Sequence, residues 1–225
     1  MEIPSLTPPS FEFLEELEVN NNREWFHAHK ARWVNELREP FAEILEAIAG
    51  FTQDSDVPLR GGRATMFQIN RDVRFSRDKS PYKTNVSGLL SSDGTKRDIT
   101  GIAYLHCDAE GGFVAVGSHD LSPQQLAPVR DAIVEKPAAM ETVMRALESA
   151  GRSLETDNQL VSMPRGYAEH AEHKLAPVLR LKSFIVRQSL DRDDWLTGRV
   201  VDRATTLIRE ATPLLSFLRG LQPSG

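Results

Sequence analysis

The feature that most constrains the fold is a change in the spacing of apolar residues along the chain. Apolar residues recur every three or four positions in residues 11–50, alternate through much of residues 65–118, and return to helical spacing from residue 122. Consecutive strands joined by short turns favour antiparallel pairing over parallel strands joined by helices. We therefore predict an α+β fold with a central, mainly antiparallel sheet of about five strands, packed by N-terminal and C-terminal helices.

Capping and turn residues set the predicted boundaries. Ser10 is expected to cap the first helix, Pro40 to lie in the first turn of another, and Ser122 to begin a capping box with Gln125. The predicted helices are 11–19, 23 to the residues before Pro40, 40–50, 122 to the residues before Pro137, 137–149, 175–181 and 193–218. The predicted strands are 65–70, 83–90, 101–108, 112–118 and 183–188. No long linker interrupts this series, so we predict a single compact α+β domain over residues 1–225.

Composition excludes several classes of protein. The chain has 225 residues, of which 40% are hydrophobic and 26% charged, and this is ordinary globular usage. No apolar run reaches the roughly 18–20 residues of a membrane span, and the N-terminus lacks the pattern of a secretory signal. The single cysteine, Cys107, cannot form an internal disulfide. We therefore expect a cytoplasmic protein with no membrane association.

Positive charge is concentrated in one window of an acidic chain. The net charge is −5, but residues 60–83 carry seven cations against Asp72 and Asp78. The window is therefore +5 and the other residues together are −10. The overall acidity argues against a general nucleic-acid binder, whereas the local excess predicts an anion site. The seven cations are Arg60, Arg63, Arg71, Arg74, Arg77, Lys79 and Lys83.

The segment 67–83 lies between two predicted strands, where functional loops are common. Guanidinium groups bind phosphate and carboxylate with two parallel hydrogen bonds, and lysines add point charge. Val73, Phe75 and Tyr82 alternate with the charges and could anchor the loop. The alternative is that these cations pair with carboxylates nearby and bind no ligand. The predicted ligand-binding residues are Arg71, Arg74, Lys79 and Lys83, with Lys182, Asn22 and Arg23 as further contributors.

Three residues are candidates for proton transfer beside this anion site. Asp72 could act as a base or orient an arginine, and Tyr82 or His106 could handle a proton. In the predicted strand 101–108, alternation places His106 on the face of Tyr104 and Cys107 on the opposite face. Cys107 is therefore expected to be a small buried side chain, and a hydrogen-bonded core histidine is the alternative for His106.

Other motifs are weak or absent. His170 and His173 could share a helical face, but a metal site needs a third ligand, so we predict no metal and leave any cofactor unassigned. The chain contains no P-loop, no dinucleotide-binding glycine fingerprint after a strand, and no nucleophile elbow. The standard nucleotide hydrolases and dinucleotide oxidoreductases are therefore disfavoured.

Several blocks of the sequence resemble one family of conserved hypothetical proteins, domain of unknown function 2461. The blocks are residues 20–26 (NNNREWF), 69–83 (INRDVRFSRDKSPYK) and 181–184 (LKSF), with weaker similarity at 101–106 and 164–167. They cover nearly the whole chain in the family's order. The chain departs from the family pattern at His173, which Lys174 follows where the family has proline. The resemblance implies one compact α+β domain and carries no known activity.

Two functions of different classes follow from the residues. The first is a small-molecule enzyme or ligand-binding domain with a cationic pocket for a phosphate- or carboxylate-bearing ligand. The second is a non-enzymatic module that docks an acidic partner protein through the basic loop 71–83. Single-stranded nucleic-acid binding is a minor third, since it needs stacking platforms as well as charge. Whether Arg71, Asp72 and Lys83 converge in a pocket separates the first two.

Overall fold

A computed structural model describes residues 3–74, 77–97 and 100–221. Its strands form one antiparallel sheet in the order β1-β2-β3-β4, and helices flank that sheet. The strands are Asn85–Leu90 (β1), Ile102–Asp108 (β2), Gly111–Ser118 (β3) and Phe184–Asp191 (β4). The predicted α+β class and antiparallel sheet are confirmed, with four strands among the described residues rather than about five.

Helical segments precede the sheet, lie between β3 and β4, and follow β4. Those before it are Pro8–Val19 (α1), Arg23–Ala28 (α2), Lys30–Arg32 (α3), a π-helix at Trp33–Arg38, Glu39–Thr52 (α4) and a 3-10 turn at Arg63–Thr65. Those between β3 and β4 are Pro123–Glu135 (α5), Pro137–Ser149 (α6), a 3-10 turn at Ala168–His170, and Ala176–Leu179 (α7). The last three are Arg192–Leu196 (α8), Arg199–Glu210 (α9) and Thr212–Arg219 (α10). Within the described ranges, no helix is long and apolar enough to cross a membrane.

The chain divides into two compact units. The first consists of Met1–Asp98, Ala103–Val114 and Gln188–Thr206, and the second of Ile99–Ile102, Ala115–Arg187 and Leu207–Gly225. In the first unit, α1, the π-helix and α4 bury Phe11, Phe13 and Phe41. The single domain over residues 1–225 stays a prediction.

The predicted strand at 65–70 is wrong. Met66 forms only a single bridge with Gly88, and Asn70 a single bridge with Tyr82. Beside the second bridge, the Arg71 N–H donates to the Pro81 carbonyl. Pro81 has no N–H with which to return that bond, so the ladder cannot extend beyond Arg71. Between the two bridges the segment advances by four residues (66 to 70) and its partner by six (88 to 82), so the bridges do not belong to one continuous ladder. The segment therefore runs extended with isolated bridges instead of forming a fifth strand.

The last predicted helix, 193–218, is three helices. Gly198 has a φ of +74°, which is the left-handed conformation that ends many helices, and it separates α8 from α9. Pro213 lies in the first turn of α10, where its missing N–H is tolerated. The capping box at Ser122 and the position of Pro40 at the start of α4 are confirmed. The helix predicted at 175–181 is shorter, Ala176–Leu179.

The N-cap predicted at Ser10 is wrong, because α1 begins earlier and Thr7 is its N-cap. Ser10 is fully buried, and its hydroxyl donates to the Glu36 carbonyl of the π-helix. In an α-helix this carbonyl would accept from residue 40, but Pro40 has no N–H. The Ser10 hydroxyl therefore supplies a donor that the helix backbone lacks at Pro40.

Replacing Ser10 with alanine is expected to lower the free energy of unfolding by about 1–2 kcal/mol, because the Glu36 carbonyl loses its donor and the Thr7 N–H loses its acceptor. Urea denaturation measures the change. In a Pro40→Ala background, residue 40 regains an N–H that can donate to Glu36, so the same substitution should cost less there. Equal losses in both backgrounds would contradict the pairing of Ser10 with the carbonyl left by Pro40.

The alternation predicted for β2 is confirmed. Ala103, Leu105 and Cys107 are buried, and Tyr104 and His106 lie on the opposite, partly exposed face. Burial raises the pKa of the Cys107 thiol well above its ordinary value, and the neighbouring Asp108 carboxylate adds to the rise. Cys107 is thus a neutral, buried side chain, as its position in the strand predicts.

Candidate functional site

A cleft of about 490 Å³ opens in the first unit, between the helices that precede α4 and the extended segment 66–70. Its volume falls within the roughly 300–1,000 Å³ typical of small-molecule sites. Four cations line it: Lys30, Arg38, Arg63 and Lys96. The walls are apolar and mostly aromatic: Phe26, Trp33, Met66, Phe67, Ile69 and Tyr82. His27, Gln68 and Asn70 complete the lining.

The aromatic wall is held in place by the asparagine triplet at 20–22. Asn21 accepts a hydrogen bond from the Tyr82 N–H at 3.1 Å and donates to the Tyr82 carbonyl at 3.0 Å. The Tyr82 ring then stacks on Phe26, with centroids 4.1 Å apart. Asn22 caps α2 by accepting from the Trp25 N–H at 2.9 Å. The triplet therefore fixes one side of the cleft through backbone and ring contacts.

Positive charge at the cleft is only partly neutralised. Arg38 pairs with Glu39 at 2.7 Å, and Arg63 lies 3.5 Å from the same carboxylate. Lys96 donates to the Met66 carbonyl at 2.8 Å, which holds its ammonium at the wall without cancelling its charge. No Asp or Glu is among the described residues that line the cleft. The arrangement provides a positive surface beside an apolar one.

The basic loop pairs its charges internally. Arg71 forms an ion pair with Asp78, and Arg74 binds Asp72 through two nitrogens, the shorter contact being 2.6 Å. Lys79 donates to the Val73 carbonyl at 2.8 Å. None of the predicted ligand residues Arg71, Arg74, Lys79 and Lys83 lines the cleft. The predicted anchor Phe75 lies outside the described residues.

Asp72 is held as the partner of Arg74. The hydrogen bonds from Arg74 lower the pKa of this exposed carboxyl group below its ordinary value. A carboxylate stabilised in its charged form is a weaker base, and Asp72 is not part of the cleft lining. Of the two roles predicted for Asp72, the geometry matches the orientation of an arginine.

Lys83 lies at the edge of the site. Its ammonium is 5.7 Å from the centroid of Phe67, and that of Lys96 is 5.9 Å from the same ring. Partial burial lowers the pKa of Lys83 below its ordinary value of 10.5, and the nearby Arg71 cation lowers it further. Phe67 thus connects the lining of the cleft to one cation of the predicted loop.

Lys83→Met is expected to leave the free energy of unfolding at pH 7 unchanged, or to raise it by less than about 1 kcal/mol, because the ammonium is only partly buried. The folded pKa is below 10.5, so the charged form destabilises the folded state at every pH below that folded value. Wild-type stability should rise relative to the variant as the pH approaches 10.5. Urea denaturation at pH 7 and pH 10 measures both differences. If the stability advantage of Lys83→Met over the wild type were larger at pH 10 than at pH 7, the predicted direction of the Lys83 pKa shift would be wrong.

Tyr82 is the only one of the three predicted proton-transfer residues that lines the cleft. His106 lies on the outer face of β2, with its Nε2 atom 3.3 Å from Asp108 and its ring stacked on Phe113 at 5.0 Å. Its Nδ1 atom is 3.5 Å from the Tyr104 hydroxyl. The structure therefore places His106 outside the cleft lining, in a cluster of aromatic and polar side chains that contacts the cleft residue Phe67 through Tyr104.

The remaining predicted contributors lie elsewhere. Asn22 caps α2, and Arg23 is the exposed first residue of that helix. Lys182 belongs to the second unit, where its N–H donates to the Asn158 carbonyl at 3.0 Å and its carbonyl accepts from Leu121 at 3.0 Å. The role of Lys182 at the anion site stays a prediction.

Sequence reasoning missed three of the four cations of the cleft, namely Lys30, Arg38 and Lys96. Lys30 precedes the buried Trp33 and Arg38 follows it. A cation on each side of a buried tryptophan is a pattern from which both residues could have been predicted. Lys96 comes from the connection between β1 and β2 and carries no local signal. Arg63 was within the predicted cationic window.

No group of three His, Cys, Asp or Glu side chains is placed to hold a metal ion in the ranges 3–74, 77–97 and 100–221. The rings of His170 and His173, in the second unit, lie 6.4 Å apart at 90° to each other. Nothing in the described residues supplies the third ligand that this pair would need.

Two comparisons with known proteins bear on identity. A search of curated proteins finds no match. The family model of a conserved hypothetical protein, DUF2461, matches residues 9–217, which is most of the chain. This range includes every block on which the resemblance was based. The chain therefore belongs to the DUF2461 family of conserved hypothetical proteins.

Proposed function

We propose that the first unit binds a small phosphate- or carboxylate-bearing molecule in the cleft between the helices preceding α4 and the segment 66–70. The observation that carries this proposal is the lining itself: four cations, and no carboxylate among its described residues. Charged hydrogen bonds to an anion are roughly twice as strong as neutral ones. The apolar wall would contact the uncharged part of the ligand. The proposal concerns binding and assigns no reaction.

Arg71, Asp72 and Lys83 do not line the cleft, so the criterion of their convergence in a pocket gives no support to a site in the loop 71–83, and the anion site is proposed in the neighbouring cleft instead. In the loop, Arg71 and Arg74 each already have a carboxylate partner. A second anion would have to compete with those pairs. At the cleft, Lys30 has no partner among the described residues and Arg63 shares Glu39 with Arg38. The loop (five cations, two carboxylates) and the cleft (four cations with Glu39) both have a net charge of +3, but only the cleft cations line one concave volume together with an apolar wall.

Thermal unfolding with added compounds tests the proposal. Inorganic phosphate, ribose 5-phosphate and citrate are compared with ribose, at constant ionic strength set with sodium chloride. A ligand at 100 times its Kd adds about 2.7 kcal/mol, which for a chain of this length raises Tm by roughly 5–10 °C. We expect a rise with at least one anion and none with ribose.

A Tm that stays unchanged with every anion would contradict the proposal. If none of them raises Tm at concentrations up to 10 mM, the cleft does not bind them with useful affinity. Binding of polyglutamate that disappears in an Arg74→Gln/Arg77→Gln variant would then support the alternative, a module that docks an acidic partner through the loop 71–83.

A further inference from the structure

Phe67 lines the cleft with part of its ring exposed. The ammonium groups of Lys83 and Lys96 both lie within 6 Å of its centroid. The one described ring beside it, that of Tyr104, is 5.9 Å away at 63°, which is an edge contact. None of the described rings is therefore stacked on Phe67. The two ammonium groups are close enough to bind an anionic group of a molecule that packs against this ring.

Two side-chain amides follow Phe67 in the same wall. Gln68 and Asn70 are exposed, line the cleft, and make no side-chain hydrogen bond with any described residue. Each amide offers both a donor and an acceptor, which is the pattern that recognises the edge of a nucleobase or the hydroxyls of a sugar. The extended segment 66–70 thus presents a ring and two hydrogen-bonding groups within four residues.

We propose that the ligand of the cleft is a free nucleoside phosphate. This inference rests on the proposed function and adds the chemical class of the ligand. The cations at Lys30, Arg63 and Lys96 would bind the phosphate, Phe67 would pack against the base, and the amides of Gln68 and Asn70 would bind polar edges. A sugar phosphate would leave the aromatic wall unused, and a simple aromatic carboxylate would leave the amides unused.

Calorimetric titration with AMP, UMP, ribose 5-phosphate and adenosine tests the class of ligand, at constant ionic strength. Stacking of a base on an aromatic side chain strengthens binding by about 5- to 100-fold. We therefore expect at least one nucleotide to bind at least about fivefold more tightly than ribose 5-phosphate. Phe67→Leu should remove that advantage without changing the affinity for ribose 5-phosphate, and Phe67→Tyr should retain it.

The titrations distinguish failure of the nucleoside assignment from failure of anion binding. Equal affinities for both nucleotides and ribose 5-phosphate would overturn the nucleoside assignment while leaving anion binding intact. No binding by any phosphate compound would overturn the nucleoside assignment, and the same result for citrate as well would overturn both proposals. A nucleotide advantage that survives in Phe67→Leu would also contradict the inference, because the base would then lie elsewhere. A 5′-phosphorylated hexanucleotide that binds more tightly than the mononucleotides would replace the free nucleotide with a nucleic-acid strand.

Discussion

Replacing Arg63 and Lys96 together with glutamine is expected to weaken the binding of ribose 5-phosphate by about 100-fold or more. Each side chain can give a charged hydrogen bond worth about 1.5 kcal/mol or more, and two such bonds correspond to this factor. Both residues line the cleft from different segments of the first unit. Isothermal titration calorimetry measures the change directly.

The fold should tolerate this double substitution. The Arg63 side chain is 62% exposed, and its contact with Glu39 is long at 3.5 Å. Lys96 donates to one backbone carbonyl, a bond that a glutamine amide can partly replace. We expect the free energy of unfolding to fall by less than about 1 kcal/mol. Lost binding in a protein that unfolds normally would therefore report on the site.

The matched control removes the same charge from the basic loop. Arg74→Gln/Arg77→Gln takes away two exposed cations that do not line the cleft. This variant should bind ribose 5-phosphate within about threefold of wild type, since exposed charges away from the ligand are largely screened by salt. If the loop variant loses binding and the cleft variant keeps it, the anion site lies in the loop 71–83.

Asp194→Ala is expected to lower the free energy of unfolding by about 2–4 kcal/mol, the largest loss predicted here for a single residue. The Asp194 side chain is 2% exposed. It accepts from Arg203 at 2.6 Å, from Arg199 at 3.2 Å, and from the Asp191 N–H at 3.1 Å. Removing one partner of a buried ion pair leaves charge uncompensated, which typically costs 3–5 kcal/mol. Both arginines are more than 40% exposed, so we expect the lower part of that range.

The neighbouring residue provides the control for Asp194. Asp193 is 64% exposed and pairs with the same Arg199 at 2.8 Å. Because exposed ion pairs contribute little, Asp193→Ala should cost less than about 1 kcal/mol in urea denaturation at pH 7. If Asp193→Ala and Asp194→Ala lowered the free energy of unfolding by similar amounts, burial of Asp194 would not explain its contribution to stability.

Local patterns were sufficient to predict β1, β2, β3 and most helices. In β2, strict alternation identified the buried face, and every expected buried residue is buried. The errors arose where the backbone pairing breaks while the side-chain pattern continues. The bridges at Met66 and Asn70 are two residues out of register with each other, and Gly198 ends α8 within an apolar stripe that continues past it. Hydrophobic periodicity records which side chains face a core, and it does not record where backbone hydrogen bonds stop.

The cleft was harder to predict because its charges are distant in sequence. Lys30, Arg63 and Lys96 come from a helix, a 3-10 turn and a strand connection, and no local window contains all three. The cationic window at 60–83 contains one of the four cleft cations, Arg63. A count of charges, however, cannot show that Arg71 and Arg74 are paired with Asp78 and Asp72. Ion pairing depends on backbone geometry, which the count does not contain.

The most direct test of the central claim is a titration of the ¹⁵N-labelled protein with ribose 5-phosphate, followed by the chemical shifts of its backbone amides. The proposal predicts that the largest saturable changes fall on residues 63–70, on Lys30 and on Lys96. Sodium chloride at the same ionic strength should not reproduce them. Changes confined to residues 71–83, or spread over the surface without saturation, would contradict an anion site in the cleft.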